Sequence, residues 1–173
     1  MGGYESGRHV FGSPKDTVGD CMILSANKLA QAGLLRAGQC ADHTLTWIHH
    51  WTGERALTAQ CEVNTLDQDP PSVRLRYVLS RPAAVLDYHV VLTTTPLPWG
   101  RDRWWFVCPL TTNGHACGRR VGMLYRPPGR RYFGCRHCHQ LTYQSTRECH
   151  APFRFDFFKH RPEEGADYRL IVR

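Results

Sequence analysis

A chain of 173 residues with 42% hydrophobic side chains can bury a core, and fits one domain or a small domain with an appended module, not two large ones. No apolar run is long enough for a membrane span, and residues 1–12 show neither the basic start nor the apolar centre of a secretory signal, so no membrane partner and a cytoplasmic location are expected. The net charge of +7 is unevenly placed: residues 1–100 hold 8 Lys/Arg against 9 Asp/Glu, residues 101–173 hold 14 against 6, and that asymmetry points to a polyanionic partner for the second half.

Residues 1–15 are rich in Gly and Ser with little apolar content and read as a flexible arm. The stretch 25–32 reads as a short helix, with Ser25 as N-cap and Gly33 just past its end, anchored by Leu29 with Leu34 and Leu35 packing beyond it. From Asp42 the period changes to two. Leu45, Trp47 and His49 share one face, and after Thr52-Gly53 the alternation of Leu57, Ala59, Cys61 and Val63 completes a hairpin. A turn at 67–71 leads to Val73, Leu75, Tyr77 and Leu79 alternating with Arg74 and Arg76, then to a strand over 85–95. Short connections make neighbouring antiparallel strands, so residues 16–100 read as a small β-meander with one helix. Residues 103–107 resume the strand pattern directly before the clustered cysteines; Trp104 and Trp105 must face opposite ways, one towards the core and the other towards the metal module or a ligand.

Eight cysteines without an export signal point to metal and not to a disulfide framework. Cys135-Arg-His-Cys138 is the tight pair that tetrahedral zinc requires, and Cys108 with Cys117 supplies the second pair across a loop at 111–116. His115 is a rival for Cys117, and His137 or His139 for Cys138; the Cys-x-x-Cys turn and Gly118 favour the four cysteines. A redox dithiol at Cys135 and Cys138 leaves the upstream pair unexplained. Two knuckles flanking candidate strands at 121–126 and 131–134, joined by Pro127-Pro128-Gly129, describe a zinc ribbon over 101–148 with a tail at 149–173. One Zn2+ closed by four thiolates is structural, with no open position for water. Cys21, Cys40, Cys61 and Cys149 read as ordinary reduced cysteines, Cys61 buried in its strand. The expected fold is α+β, mainly β: an antiparallel β-meander with a short N-terminal helix and a C-terminal four-cysteine zinc ribbon.

At Arg103-Trp-Trp-Phe-Val-Cys-Pro, Cys117-Gly-Arg-Arg-Val, Tyr132-Phe-Gly-Cys-Arg-His-Cys and Leu141-Thr-Tyr, the chain resembles a family of short, largely uncharacterised bacterial proteins also found near phage and mobile-element genes. The resemblance implies a zinc-ribbon architecture and gives the metal role to Cys108, Cys117, Cys135 and Cys138. It supplies no activity. The sequence departs from the family at Glu5 and after His150.

Arg119, Arg120, Arg126, Arg130, Arg131 and Arg136 lie on or between the knuckles, with no acidic residue from Cys108 to Cys138 and with Tyr125, Tyr132 and Phe133 interleaved. Arginine forks suit phosphate, and aromatics suit unpaired bases. A GC-rich genome also inflates arginine counts, and the aromatics serve equally as a small core. The expected function is nucleic-acid binding, DNA before RNA and associated with regulation or a mobile element, through these six arginines. An adaptor docking on a protein complex is the alternative, and an enzyme with a site on the β-domain the third; no catalytic residue is assigned, because no nucleophile-elbow, phosphate-loop or His-Glu-x-x-His motif is present.

Overall fold

The computed structural model describes residues 16–66, 70–81, 83–98, 100–143 and 168–173. The arm expected at 1–15 and Cys149 lie outside them, as does most of the tail at 149–173. The strands are β1 (Met22–Ser25), β2 (Cys40–His49), β3 (Arg55–Asn64), β4 (Ser72–Ser80), β5 (Ala83–Pro96), β6 (Asp102–Val107), β7 (Thr111–Thr112), β8 (His115–Ala116), β9 (Arg120–Val121), β10 (Met123–Arg126) and β11 (Tyr168–Val172). The helix α1 spans Ala26–Gln31. Among the described residues no helix is long and apolar enough to cross a membrane.

Seven strands form one antiparallel sheet in the order β11-β2-β3-β4-β5-β6-β9, so the expected meander is present from β2 to β6. β3 and β4 pair only over 59–64 and 72–77, and beyond that register each continues with its other neighbour, which curls the sheet. Alternation dictates the faces. Leu45, Trp47, Leu57, Ala59, Cys61, Val63, Val73, Leu75, Tyr77 and Leu79 are all buried on one side. On the other, Arg74 holds Asp87 through two bonds of 2.7 Å, while Glu62 reaches Arg76 at 2.9 Å.

The buried face is covered by α1, β1, β10 and the cysteine-bearing segment, all in one continuous core. The helix starts as its sequence dictates: Ser25 Oγ accepts from the Lys28 N–H, Leu29 is fully buried, and Leu34 and Leu35 pack behind it. The Trp47 indole N–H donates to the Ile23 carbonyl at 3.0 Å, fixing β1 against the sheet.

Three features differ from the sequence reading. The four-cysteine cluster is not C-terminal but mid-chain: after it the chain returns as β11, which pairs with β2 along Tyr168↔His49 to Val172↔Leu45. A second strand at 131–134 is reduced to one bridge, Tyr125↔Gly134, while β10 takes β1 as its ladder partner. The reason lies in the backbone groups of 131–134, which bond to tyrosines of the main sheet. Tyr77 Oη donates to the Arg131 carbonyl at 2.6 Å, and the Phe133 N–H donates to Tyr88 Oη at 3.1 Å. Arg126, expected on the surface, is buried at 9% exposure; it shares the inward face of β10 with Leu124.

Cys61 is fully buried as expected, and burial, aided by Asp42, pushes its thiol from 9.0 up to about 12. Burial does the same for Cys21, with Asp16 and Asp20 adding to it. A thiol whose folded pKa lies above the unfolded one contributes stability that is complete below pH 9.0 and is lost as pH rises towards about 12. The thiol contribution to denaturant midpoints is therefore expected to be constant below pH 9.0 and to fall between there and about 12, with Cys61→Ala showing a shallower alkaline fall. An equally steep fall in the variant excludes Cys61 as a contributor.

Candidate functional site

The second cysteine pair sits on the turn that follows the Tyr125↔Gly134 bridge, and the first frames a miniature hairpin after β6. In that hairpin Thr111↔Ala116 and Thr112↔His115 pair across Asn113 and Gly114, both with positive φ (53° and 80°), the geometry of a type I′ turn. The wide spacing from Cys108 to Cys117 is thus taken up by a closed two-strand excursion, and the Cys117 N–H donates to the Leu110 carbonyl at 2.8 Å, which brings the two cysteines together. Gly134 is closely packed: a Cβ there would press on the Leu110 side chain and come within 3.0 Å of His139 Nε2, so a larger residue would displace Leu110.

The four Sγ atoms of Cys108, Cys117, Cys135 and Cys138 lie within 4.8 Å of one another and can hold one metal ion. Two of the separations match a tetrahedral edge, Cys117 to Cys135 at 3.8 Å and Cys108 to Cys138 at 3.9 Å. A tetrahedron with metal–sulfur bonds of about 2.3 Å has edges of about 3.8 Å. Backbone N–H groups point at the sulfurs, Cys135 N–H to Cys108 Sγ at 3.2 Å and Cys138 N–H to Cys135 Sγ at 3.5 Å, and the Thr112 hydroxyl donates to Cys138 Sγ at 3.6 Å. Such donors favour thiolate over thiol. Burial nevertheless pushes the Cys108 thiol up, with Cys135 and Cys138 beside it adding to the rise, and burial raises Cys138 too. For Cys117 slight burial works upwards but the Arg119 N–H and the neighbouring thiols outweigh it, holding it below its ordinary value. Cys117 is thus the more readily ionised thiol, while burial opposes ionisation of Cys108 and Cys138. Among the described residues His115, His137 and His139 are not part of the group, and no second group of this kind occurs.

Beside the cluster runs a shallow, open groove lined by Arg103, Trp105, Arg119, Arg120, Val121, Gly122, Arg136 and Tyr143. Trp105 is the outward member of the tryptophan pair; Trp104 is buried. The Arg103 and Arg120 guanidinium carbons lie 4.2 and 5.2 Å from the centre of the Trp105 ring, and Thr95 Oγ1 accepts from both the Trp105 indole and Arg120. The Arg136 guanidinium carbon lies 4.9 Å from the centre of the Tyr143 ring, which is 48% exposed.

Of the six arginines singled out from the sequence, Arg119, Arg120 and Arg136 share this groove. Arg130 and Arg131 are exposed at the Pro-Gly turn, outside it. Arg126 is turned inward: one guanidinium nitrogen donates to the Arg130 carbonyl at 2.8 Å and another lies 3.2 Å from Met22 Sδ. Tyr125 and Phe133 are buried, and Tyr132 is 42% exposed. The sequence reading did not single out Arg103 or Tyr143 for the site. Arg103 was legible as the residue two before Trp105 on the same strand face; Tyr143, the last residue of the Leu141-Thr-Tyr motif, joins through its stack with Arg136 seven residues before it.

No protein-family model, no curated protein and no solved structure matches this chain. Of the family resemblance set out from the sequence, the four-cysteine cluster is present.

Proposed function

We propose that the chain is a nucleic-acid-binding protein, with DNA as its expected partner, in which one structural Zn2+ held by Cys108, Cys117, Cys135 and Cys138 forms a zinc-ribbon module that keeps an arginine-lined groove rigid. Four thiol donors at tetrahedral spacing favour zinc among common cellular metals and leave no open coordination position. When bound, the ion supplies folding energy and not a reactive water.

The observation that carries the reading is the groove itself. Arg103, Arg119, Arg120 and Arg136 converge on it, and no carboxylate lies within ion-pair distance of them among the described residues. Arg74 and Arg76, by contrast, are neutralised by Asp87 and Glu62 on the open face of the sheet. The guanidinium groups of Arg103, Arg120 and Arg136 lie over aromatic rings, which leaves less side-chain entropy to be lost on binding phosphate.

The test is a salt titration of binding to mixed-sequence DNA. Affinity is expected to fall linearly on logarithmic axes, and the double change Arg120→Ala with Arg136→Ala to make the slope shallower by about 1 per arginine removed. Arg130→Ala with Arg131→Ala is expected to change the slope less. Absence of binding at low salt rejects the reading. The adaptor alternative has one feature in its favour, the exposed Val78, Val85 and Val91 on the open face of the sheet; a partner retained by the arginine double variant is its expected signature.

A further inference from the structure

We propose that the groove takes single-stranded nucleic acid in preference to duplex, with an unpaired base laid against Tyr143; this rests on the nucleic-acid reading above and specifies its substrate class. The geometry of the two cation–aromatic stacks points there. Arg103, Trp105 and Arg120 form one stack and Arg136 with Tyr143 the other, and Val121 and Gly122 line the same groove. Thr95 Oγ1 holds both the Trp105 indole and Arg120 in this stack, so the Arg120 guanidinium is a positioned donor for phosphate. Tyr143 is an open ring of the groove at 48% exposure, and Met123, at 44%, adds apolar surface to the same lining.

A duplex has little use for these features. Its base faces are already stacked on one another, and reading its edges takes an element that projects into a groove about 12 Å wide. Here the arginines and rings line a recess, and the helix, six residues long, is spent on burying Ala26 and Leu29 in the core. A single strand can follow a recess, placing phosphates on arginines and turning bases onto rings, each stacked base contributing about 1–3 kcal/mol. Gly122 adds no bulk to the lining: a Cβ there would come only to ordinary contact with Trp105, 3.7 Å, so nothing in the packing forbids a larger residue.

The experiment measures fluorescence anisotropy of a short mixed-sequence DNA strand and of its duplex with the zinc-loaded chain at low salt. The single strand is expected to bind at least about tenfold more tightly, with a logarithmic salt slope of about −3 for four arginines. Tyr143→Ala is expected to weaken single-strand binding about tenfold and duplex binding clearly less, by no more than the looser hold on Arg136, whereas Tyr143→Phe preserves both. Because Tyr143 is half-exposed, unchanged zinc content and melting temperature should accompany these changes. Gly122→Leu, which adds bulk to the lining without removing a contact, is expected to weaken single-strand binding also. Equal affinity for duplex and single strand, or indifference to Tyr143→Ala, overturns this inference while leaving nucleic-acid binding in place. Failure of both probes to bind overturns the two together.

Discussion

Replacement of Cys135 by serine is expected to reduce bound zinc from one per chain to near zero and to lower the melting temperature more than any single surface change. Cys135 is fully buried, its backbone N–H supports Cys108 Sγ, its own sulfur receives the Cys138 N–H, and it stands 3.8 Å from Cys117. Serine keeps the volume but remains a neutral hydroxyl, and no water reaches the position to complete the coordination sphere. In isolated zinc peptides the bound ion contributes about 10–16 kcal/mol of folding free energy. The sheet supplies a core of its own, so the loss here should fall first on 108–138 and be seen as new protease cleavage there. Cys40→Ser, at an exposed position away from the cluster, is the control and should retain the metal. Zinc measured by atomic emission in both variants decides the matter: full occupancy in Cys135→Ser removes this residue from the ligand set.

How far the fold could be read depended on the range of the forces involved. β2, β3, β4 and β5 were legible because each buries one face, and burial on one face writes period-two alternation into the sequence. The cysteine set was legible because ligand geometry restricts spacing within a short segment. β1 was not: Met-Ile-Leu-Ser is a short run that passes directly into a helix, and its partner β10 is about a hundred residues away. β11 was missed likewise, five residues whose strand character is fixed by pairing with β2 at the other end of the chain. Arg126 was misplaced by residue type, because arginine is seldom buried; the pattern spoke differently, since Leu124 and Arg126 lie two apart on a strand whose inward face Leu124 defines. The groove belongs wholly to tertiary structure. Trp105, Arg120 and Tyr143 come from β6, β9 and the chain beyond the second knuckle, and no local window contains all three.

Phe133→Ala is expected to cost about 3–5 kcal/mol, because a fully buried ring is lost from a packed interior that can only partly collapse. Its consequences should reach the metal. Phe133 lies two residues before Cys135, its ring centre is 5.2 Å from that of Trp47 and 6.1 Å from that of Tyr77, and its N–H is held by Tyr88. Trp47 in turn donates to Ile23 on β1, which pairs with β10. The ring therefore joins the cysteine segment both to the centre of the sheet and to the two-stranded ladder beside it. Removing it should loosen the turn that presents Cys135 and Cys138, so that zinc passes to a chelator faster under conditions where the variant is still folded. Phe133→Leu, which fills most of the volume, should cost about 1.5 kcal/mol or less and restore slow release. Denaturant titration gives the first quantity and chelator kinetics the second. Lowered stability with unaltered zinc release would mean that the cysteine turn is held by its own hydrogen bonds and metal, independently of the sheet. Faster release in proportion to lost stability would make the sheet's core a determinant of how firmly the metal, and with it the groove, is held.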